Sequence, residues 1–236
     1  LGPVASQGNA AILKAATDFA NGPLAAEKRS LLGAEQEAWM RAEMRRSKGR
    51  GATWQVLGQQ IVAARQAFPA SAASMLPPDA SDRSKQFAAL GALVGQIGQG
   101  WNLDAWSGYP PARQRFLQSC AQDGANALVL SGDSHNAWWT NLPGGKDGRN
   151  AAIEMAGGSV TSPGMENTYR SAAAGQRESA FVAANSEIAW CDMTNRGYAV
   201  AKLTRTACES EWVAFDSVRT AAMPAPKVTR LRAEAT

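Results

Sequence analysis

The stretch Asn126-Ala-Leu-Val-Leu-Ser131 runs straight into Gly132-Asp133-Ser134-His135-Asn136. Its apolar residues form a short unbroken run with no polar face, bounded by Asp123-Gly124 before and Gly132 after. Such a run predicts a strand buried on both faces, as in a parallel sheet. Open α/β sheets place their sites in the loops that leave the carboxyl ends of such strands. Side chains two apart on an extended segment leave the same face, so Asp133 and His135 are expected to converge on one ion, with Asn136 as a polar neighbour. A carboxylate beside an imidazole suits iron, zinc or manganese, and a carboxylate alone also suits calcium. The competing reading of the same residues is a metal-free surface turn held by hydrogen bonds.

Working outward, Trp54–Ala63 reads as a strand weakened at Gly58, and Ala152–Ala156 as another that ends in Gly157-Gly-Ser-Val-Thr-Ser-Pro-Gly164. Backbone N–H groups of the Gly157-Gly158-Ser159 turn could face a phosphate, although a plain turn has the same composition. Helical spacing marks 8–20, broken at Gly22-Pro23, and 34–46, where Glu35 and Glu37 open and Arg45 and Arg46 close the helix in accord with its dipole. Phe87, Leu90, Val94 and Ile97 follow the same period, yet Gly91, Gly95 and Gly98 each cost about 1 kcal/mol there unless close packing needs them. Pro111 opens a further helix over 111–121. Ile188–Cys191, Gly197–Leu203 and Glu211–Val218 suggest antiparallel strands near the C-terminus, the last two joined by a turn at Ala207–Ser210, and 221–236 a loose tail. The fold class expected is α/β. A mixed sheet should hold Trp54–Ala63 and Ala127–Ser131, with helices near 34–46 and 111–121 packed over it.

Composition narrows the function. A chain of 236 residues makes one large domain or two small ones. With 45% hydrophobic and 19% charged residues, it is not a wholly disordered chain. Its apolar runs are too short to cross a bilayer. The net charge of +4 is spread out, apart from Arg41, Arg45, Arg46, Lys48 and Arg50, so no nucleic-acid partner is expected. No basic stretch precedes an apolar one at the start, so no signal peptide is expected in this stretch. His135 is the single histidine, which excludes an H-E-x-x-H zinc site. Without a C-x-x-C pair, Cys120, Cys191 and Cys208 do not make a thiolate zinc site; Cys191 and Cys208 are either one bridge or two buried thiols. No G-x-S-x-G elbow exists, and Ser134 next to His135 on an extended chain points away from it, which disfavours a serine hydrolase. Trp138-Trp139 reads as a packed wall.

Six blocks in order carry a family resemblance: Leu32-Gly-Ala-Glu-Gln-Glu-Ala-Trp39, Trp54-Gln-Val-Leu-Gly-Gln-Gln60, Asp104-Ala-Trp-Ser-Gly-Tyr-Pro110 with Arg113, Val129-Leu-Ser-Gly-Asp-Ser-His-Asn-Ala-Trp138, Ser159-Val-Thr-Ser-Pro-Gly164 and Arg196-Gly-Tyr198. Over roughly 30–218 the chain resembles the C-terminal half of the alkaline phosphatase D (PhoD-like) metallophosphatases. The resemblance implies a layered, calcineurin-like phosphoesterase sandwich. It implies hydrolysis of phosphate mono- and diesters at an iron and calcium centre, and a periplasmic or extracellular location. Asp133 and His135 match the strand-G-D-x-H metal ligands, and metal-assisted attack on phosphorus is the chemistry implied. Trp106 and Tyr109 are expected near the Gly132–Asn136 loop. Ser107 stands where the family usually carries an aspartate. No ligand run of the family precedes Leu31, so a missing N-terminal half is the expected partner, and the sheet should show an unpaired edge where it belongs. The organisation expected is a helical lead-in over 1–30, the phosphatase half-domain over 31–220 and the tail over 221–236.

Overall fold

The computed structural model describes residues 8–220 and 225–235. Helices α1 (Gly8–Asn21) and α2 (Ala34–Gly49) precede strand β1 (Trp54–Gly58). Then come α3 (Asp82–Gly95), α4 (Pro110–Asp123), β2 (Asn126–Ser131), β3 (Ala137–Leu142) and β4 (Ala152–Ala156). Last are α5 (Gln176–Ala184), β5 (Ile188–Asp192), β6 (Arg196–Leu203), β7 (Ala207–Phe215) and β8 (Lys227–Glu234). Five strands form a mixed sheet in the order β1-β2-β4-β3-β5, and three form an antiparallel sheet in the order β6-β7-β8.

Alternation along the strands sets the layers. On β2, Ala127 and Val129 join the core beneath the helices, while Leu128 faces the opposite way into a second core. On β3, Trp138 and Leu142 take the helix side and Trp139 the other. The second core also holds Cys208 and Trp212 of β7, so the three-stranded sheet covers the face that the helices leave. Trp190 of β5 and Trp212 meet across this interface with ring centroids 5.0 Å apart. The result is a layered α/β sandwich, with the Trp138-Trp139 wall buried as its composition suggests. An irregularity between Trp139 and Thr140 shifts the β3–β5 register, which lets both Ile188 and Cys191 face the helix-side core.

Helix α3 keeps its glycines for space. A Cβ on Gly91 would fall inside the Phe68 ring, which stacks on Trp101 at 5.5 Å and meets Phe87 edge-on at 5.5 Å.

Several expectations need correction. The strand read as Trp54–Ala63 stops at Gly58, because the buried Glu154 carboxylate captures the amides of Ala63 (2.6 Å) and Ala64 (3.0 Å) and draws the chain off the sheet. It belongs to the mixed sheet as expected, at one edge. Ile188–Cys191 does not pair with the later strands but lies beside β3. The turn between β6 and β7 is at Thr204–Thr206, where Thr204 N–H donates to the Ala207 carbonyl at 2.8 Å, and not at Ala207–Ser210. Within the stretch read as a loose tail, residues 227–234 form β8; residues 221–224 and 236, like 1–7 of the lead-in, lie outside the described residues. Cys191 and Cys208 sit in different sheets, and both are free, buried thiols.

One topological fact positions the site. β4 pairs parallel with β2 on one side and antiparallel with β3 on the other. The Gly132–Asn136 loop therefore steps over the end of β4, a span of about 10 Å or two strand spacings.

Candidate functional site

Three parallel strands, β1, β2 and β4, end on the same rim, and the segments that follow them are stitched together. Gln59 N–H donates to the Leu130 carbonyl at 3.0 Å, Gly132 N–H to Gln60 at 3.3 Å and Gly157 N–H to Ser131 at 2.8 Å. The Gly132–Asn136 loop stands at the centre of this rim.

The loop is not extended. Asp133 has φ 66° and His135 φ 59°, both in the left-handed region that costs an L-residue about 1–2 kcal/mol. Reversing direction and crossing a strand in five residues requires such turns. The expectation that Asp133 and His135 align because they are two apart on an extended chain is thus corrected: a strained turn presents them. Such strain persists only where neighbours over-determine it. Here Ser134 Oγ donates to the Asn136 carbonyl (2.9 Å) and accepts from Trp138 Nε1 (2.6 Å), while Asn136 Nδ2 donates to the Ser134 carbonyl (2.8 Å). Ser134 is spent on holding the loop, which removes it as a nucleophile.

Asp133 and His135 are both exposed. His135 Nδ1 lies 2.9 Å from the Pro163 carbonyl. A carbonyl can only accept, so Nδ1 carries the proton and Nε2 is the nitrogen left for a ligand. That is the form in which imidazole binds a metal, with the second nitrogen fixed by a backbone oxygen. Among the described residues no hydrogen bond or ion pair engages the Asp133 carboxylate.

Asn136 is buried, and its Oδ1 accepts from Met165 N–H at 3.1 Å. It braces the loop against the Gly157–Met165 segment. A Cβ on Gly164 would strike Asn136 Oδ1, which explains the glycine. Behind this contact Arg196 is buried, forms an ion pair with Glu166, and donates to the carbonyls of Asn195 (2.7 Å) and His135 (3.4 Å). Burial pushes the Glu166 carboxyl up, but the hydrogen bond from Arg196 and backbone donors outweigh it and leave the group below its ordinary value. Gly197 N–H reaches the Ser159 carbonyl at 3.0 Å, so the second sheet clamps the same segment.

Trp106 is buried, packs on Phe116 at 4.6 Å between centroids, and donates from Nε1 to Gln59 Oε1 at 3.1 Å. It reaches the rim through Gln59. Tyr109 does not join it: its ring lies 4.9 Å under the Arg29 guanidinium, and none of its hydrogen bonds or ring contacts among the described residues runs to the Gly132–Asn136 loop. Asp133 and His135 also line none of three large concavities: 410 Å³ at the opposite end of the sheet, 460 Å³ between α2 and β1, and 630 Å³ beside α4. They stand on an open rim.

Two supporting residues escaped the sequence reading. Glu166 follows Gly164 with no motif to mark it. Glu154 is fully buried on β4 and accepts from Ala63 N–H, Ala64 N–H, Ser131 Oγ (2.7 Å) and Thr140 Oγ1 (3.0 Å). A charged residue inside an otherwise apolar strand was the available signal.

Carboxylate oxygen suits calcium or iron, and imidazole suits iron. Among the described residues no group of three or more His, Cys, Asp or Glu side chains could hold a metal ion.

Comparison with known proteins agrees with this architecture. A solved structure of PhoD superposes with a TM-score of 0.60 at 21% identity, over 89% of this chain and 34% of that one. Alkaline phosphatase D of Bacillus subtilis (strain 168) is 31% identical over 140 residues, which is 58% of this chain and 19% of that protein. The chain therefore spans about a third or less of the length of these relatives. The PhoD-like phosphatase profile matches residues 7–212, a range that takes in the whole rim from Gln59 to Arg196, and the chain belongs to that family.

Proposed function

We propose that the chain supplies Asp133 and His135 as two metal ligands of a phosphoesterase that hydrolyses phosphate mono- and diesters. The observation that carries this reading is the strained turn that holds an unpartnered carboxylate and an imidazole nitrogen left for a ligand at the carboxyl rim. A bound iron or calcium ion would supply positive charge to neutralise the phosphoryl oxygens during displacement at phosphorus. This chain's own part is positional. Pro163 holds the proton on His135 Nδ1, and Ser134, Asn136 and Arg196 fix the turn. Calcium takes six to eight oxygen ligands, more than Asp133 supplies, so the remaining donors would come from a longer parent that contains this sequence. A β1 edge that no described strand pairs, with Val56 and Trp39 exposed beside the 460 Å³ groove, supports that assignment. The periplasmic or extracellular location follows from the resemblance alone. Non-catalytic folding of this chain by itself is the second reading, favoured by the partial donor set.

The test uses a chromogenic phosphate ester with iron and calcium added and metal content measured in parallel. The isolated chain should show little or no turnover. In a longer parent that contains this sequence, Asp133→Ala or His135→Ala should abolish metal-dependent hydrolysis. Unchanged activity in either variant would remove the ligand assignment, and robust turnover by the isolated chain would show that its donor set suffices.

A further inference from the structure

At the end of the sheet opposite Asp133 and His135, a 410 Å³ pocket opens between the β3–β4 connection and β8. Asn126 and Ala152, the first residues of β2 and β4, form its floor, about 17 Å of strand away from the rim described above. Lys146 and Arg149 line it from the connection, and Arg232 from β8. Their charges are not equivalent. Arg232 is neutralised by Glu209 at 2.6 Å and Glu234 at 2.7 Å. Lys146 and Arg149 form no ion pair with any described carboxylate, and Asp147 between them in sequence pairs with neither. The connection is held in shape by Arg149 N–H on the Lys146 carbonyl (3.0 Å) and Ala151 N–H on the Leu142 carbonyl (2.8 Å). Trp54 lines the same pocket, fixed by its Nε1 on the Thr204 carbonyl at 2.7 Å.

We propose that this pocket is an anion site, separate from the Asp133–His135 rim, that takes a phosphate group, free or carried on a small molecule. Two cations that no described carboxylate pairs line one concavity of a volume usual for small-ligand sites, and Arg149 Nε also donates to the Lys146 carbonyl at 3.4 Å, which leaves its terminal nitrogens for a ligand. A phosphate monoester carries about −1.5 to −2 charges at neutral pH and matches both. Arginine presents a planar fork to two phosphate oxygens, lysine a point charge to a third. A planar ring attached to the phosphate would find the Trp54 indole as a wall.

The experiment is calorimetric titration of the full chain, stripped of metal with a chelator, with inorganic phosphate and separately with adenosine monophosphate. Saturable binding is expected, weakened at least tenfold in Lys146→Ala/Arg149→Ala and by added salt, and retained in Asp133→Ala/His135→Ala. Equal affinities would mean that the phosphate alone is recognised. Tenfold tighter binding of the nucleotide, erased in Trp54→Phe, would place its base on the indole. Both outcomes uphold the site. Lack of saturable binding of either anion, binding unchanged in the double cation variant, or binding lost in the rim variant would each overturn it. Circular dichroism confirms that each variant is folded.

Discussion

Replacing Glu154 tests the clamp that ends β1 and steadies the rim. In Glu154→Ala the hydroxyls of Ser131 and Thr140 can rotate toward other partners, but the amides of Ala63 and Ala64 lose their only acceptors among the described residues. Each orphaned buried N–H costs about 1–3 kcal/mol, so two cost about 2–6 kcal/mol. Relief from burying a carboxyl offsets part of this, leaving a net loss of about 3 kcal/mol. Glu154→Gln keeps one acceptor and should lose about half as much. At about 2–4 °C per kcal/mol for a domain of this size, Tm should fall by about 6–12 °C in the alanine variant. Burial raises the Glu154 pKa above the ordinary 4.5, against the lowering effect of its four hydrogen-bond donors. The sign then follows: the folded state keeps a proton that the unfolded state has released, so this group's stabilisation is full below about 4.5 and falls as pH rises through the folded-state value. The advantage of wild type over Glu154→Gln should therefore be greatest in acid. Urea melts of the three proteins from pH 4 to 8 measure both effects. A Glu154→Ala loss below about 0.5 kcal/mol with an unchanged m-value would refute the clamp.

Asp133→Gly should be more stable than Asp133→Ala by about 1 kcal/mol, since both remove the carboxylate and only alanine strains at φ 66°; equal urea midpoints would argue against the left-handed turn. Gly91→Ala should destabilise by about 1–3 kcal/mol through the clash with Phe68, read as a drop in Tm, and Phe68→Leu in the same chain should recover part of it. Glu166, held below 4.5 by Arg196, contributes stability that is present above pH 4.5 and lost as pH falls through its folded value. Glu166→Gln should therefore show a shallower acid limb in thermal melts, and an unaltered limb would remove the pair from the account.

The parts of the fold legible in the sequence were those written in local pattern. The apolar run of β2 reported its own double burial because neighbours cover both its faces, and α2 announced itself through its Glu and Arg ends. β8 was missed because an edge strand is charged by design against aggregation, and Lys227, Arg230 and Arg232 read as a solvated tail. Its meaning lies in its partner: Arg230 faces Glu211 and Arg232 faces Glu209 across the register. The site divides along the same line. Asp133 and His135 could be named from residue types beside a strand end. Their left-handed backbone could not, since it comes from the crossing over β4, a long-range fact. Tyr109 was expected beside the rim with Trp106; what its ring meets is Arg29, eighty residues earlier in the chain, a long-range contact that no local pattern announces.

The insertion of β4 between β2 and β3 also dictates an order of assembly. β3 and β4 are joined by a short connection and can zip locally as a hairpin, whereas the β2–β4 ladder closes only when that hairpin docks. Until it docks, nothing forces the Gly132–Asn136 segment into its bent path, and Pro163, which follows β4, is not yet beside His135. The two candidate ligands are therefore shaped late in folding, and a chain stalled before docking would show a nascent β3–β4 hairpin with no preference of Asp133 or His135 for the left-handed basin. Amide exchange that protects Thr140 and Glu154 before Gly157 would be the kinetic trace of that sequence of events.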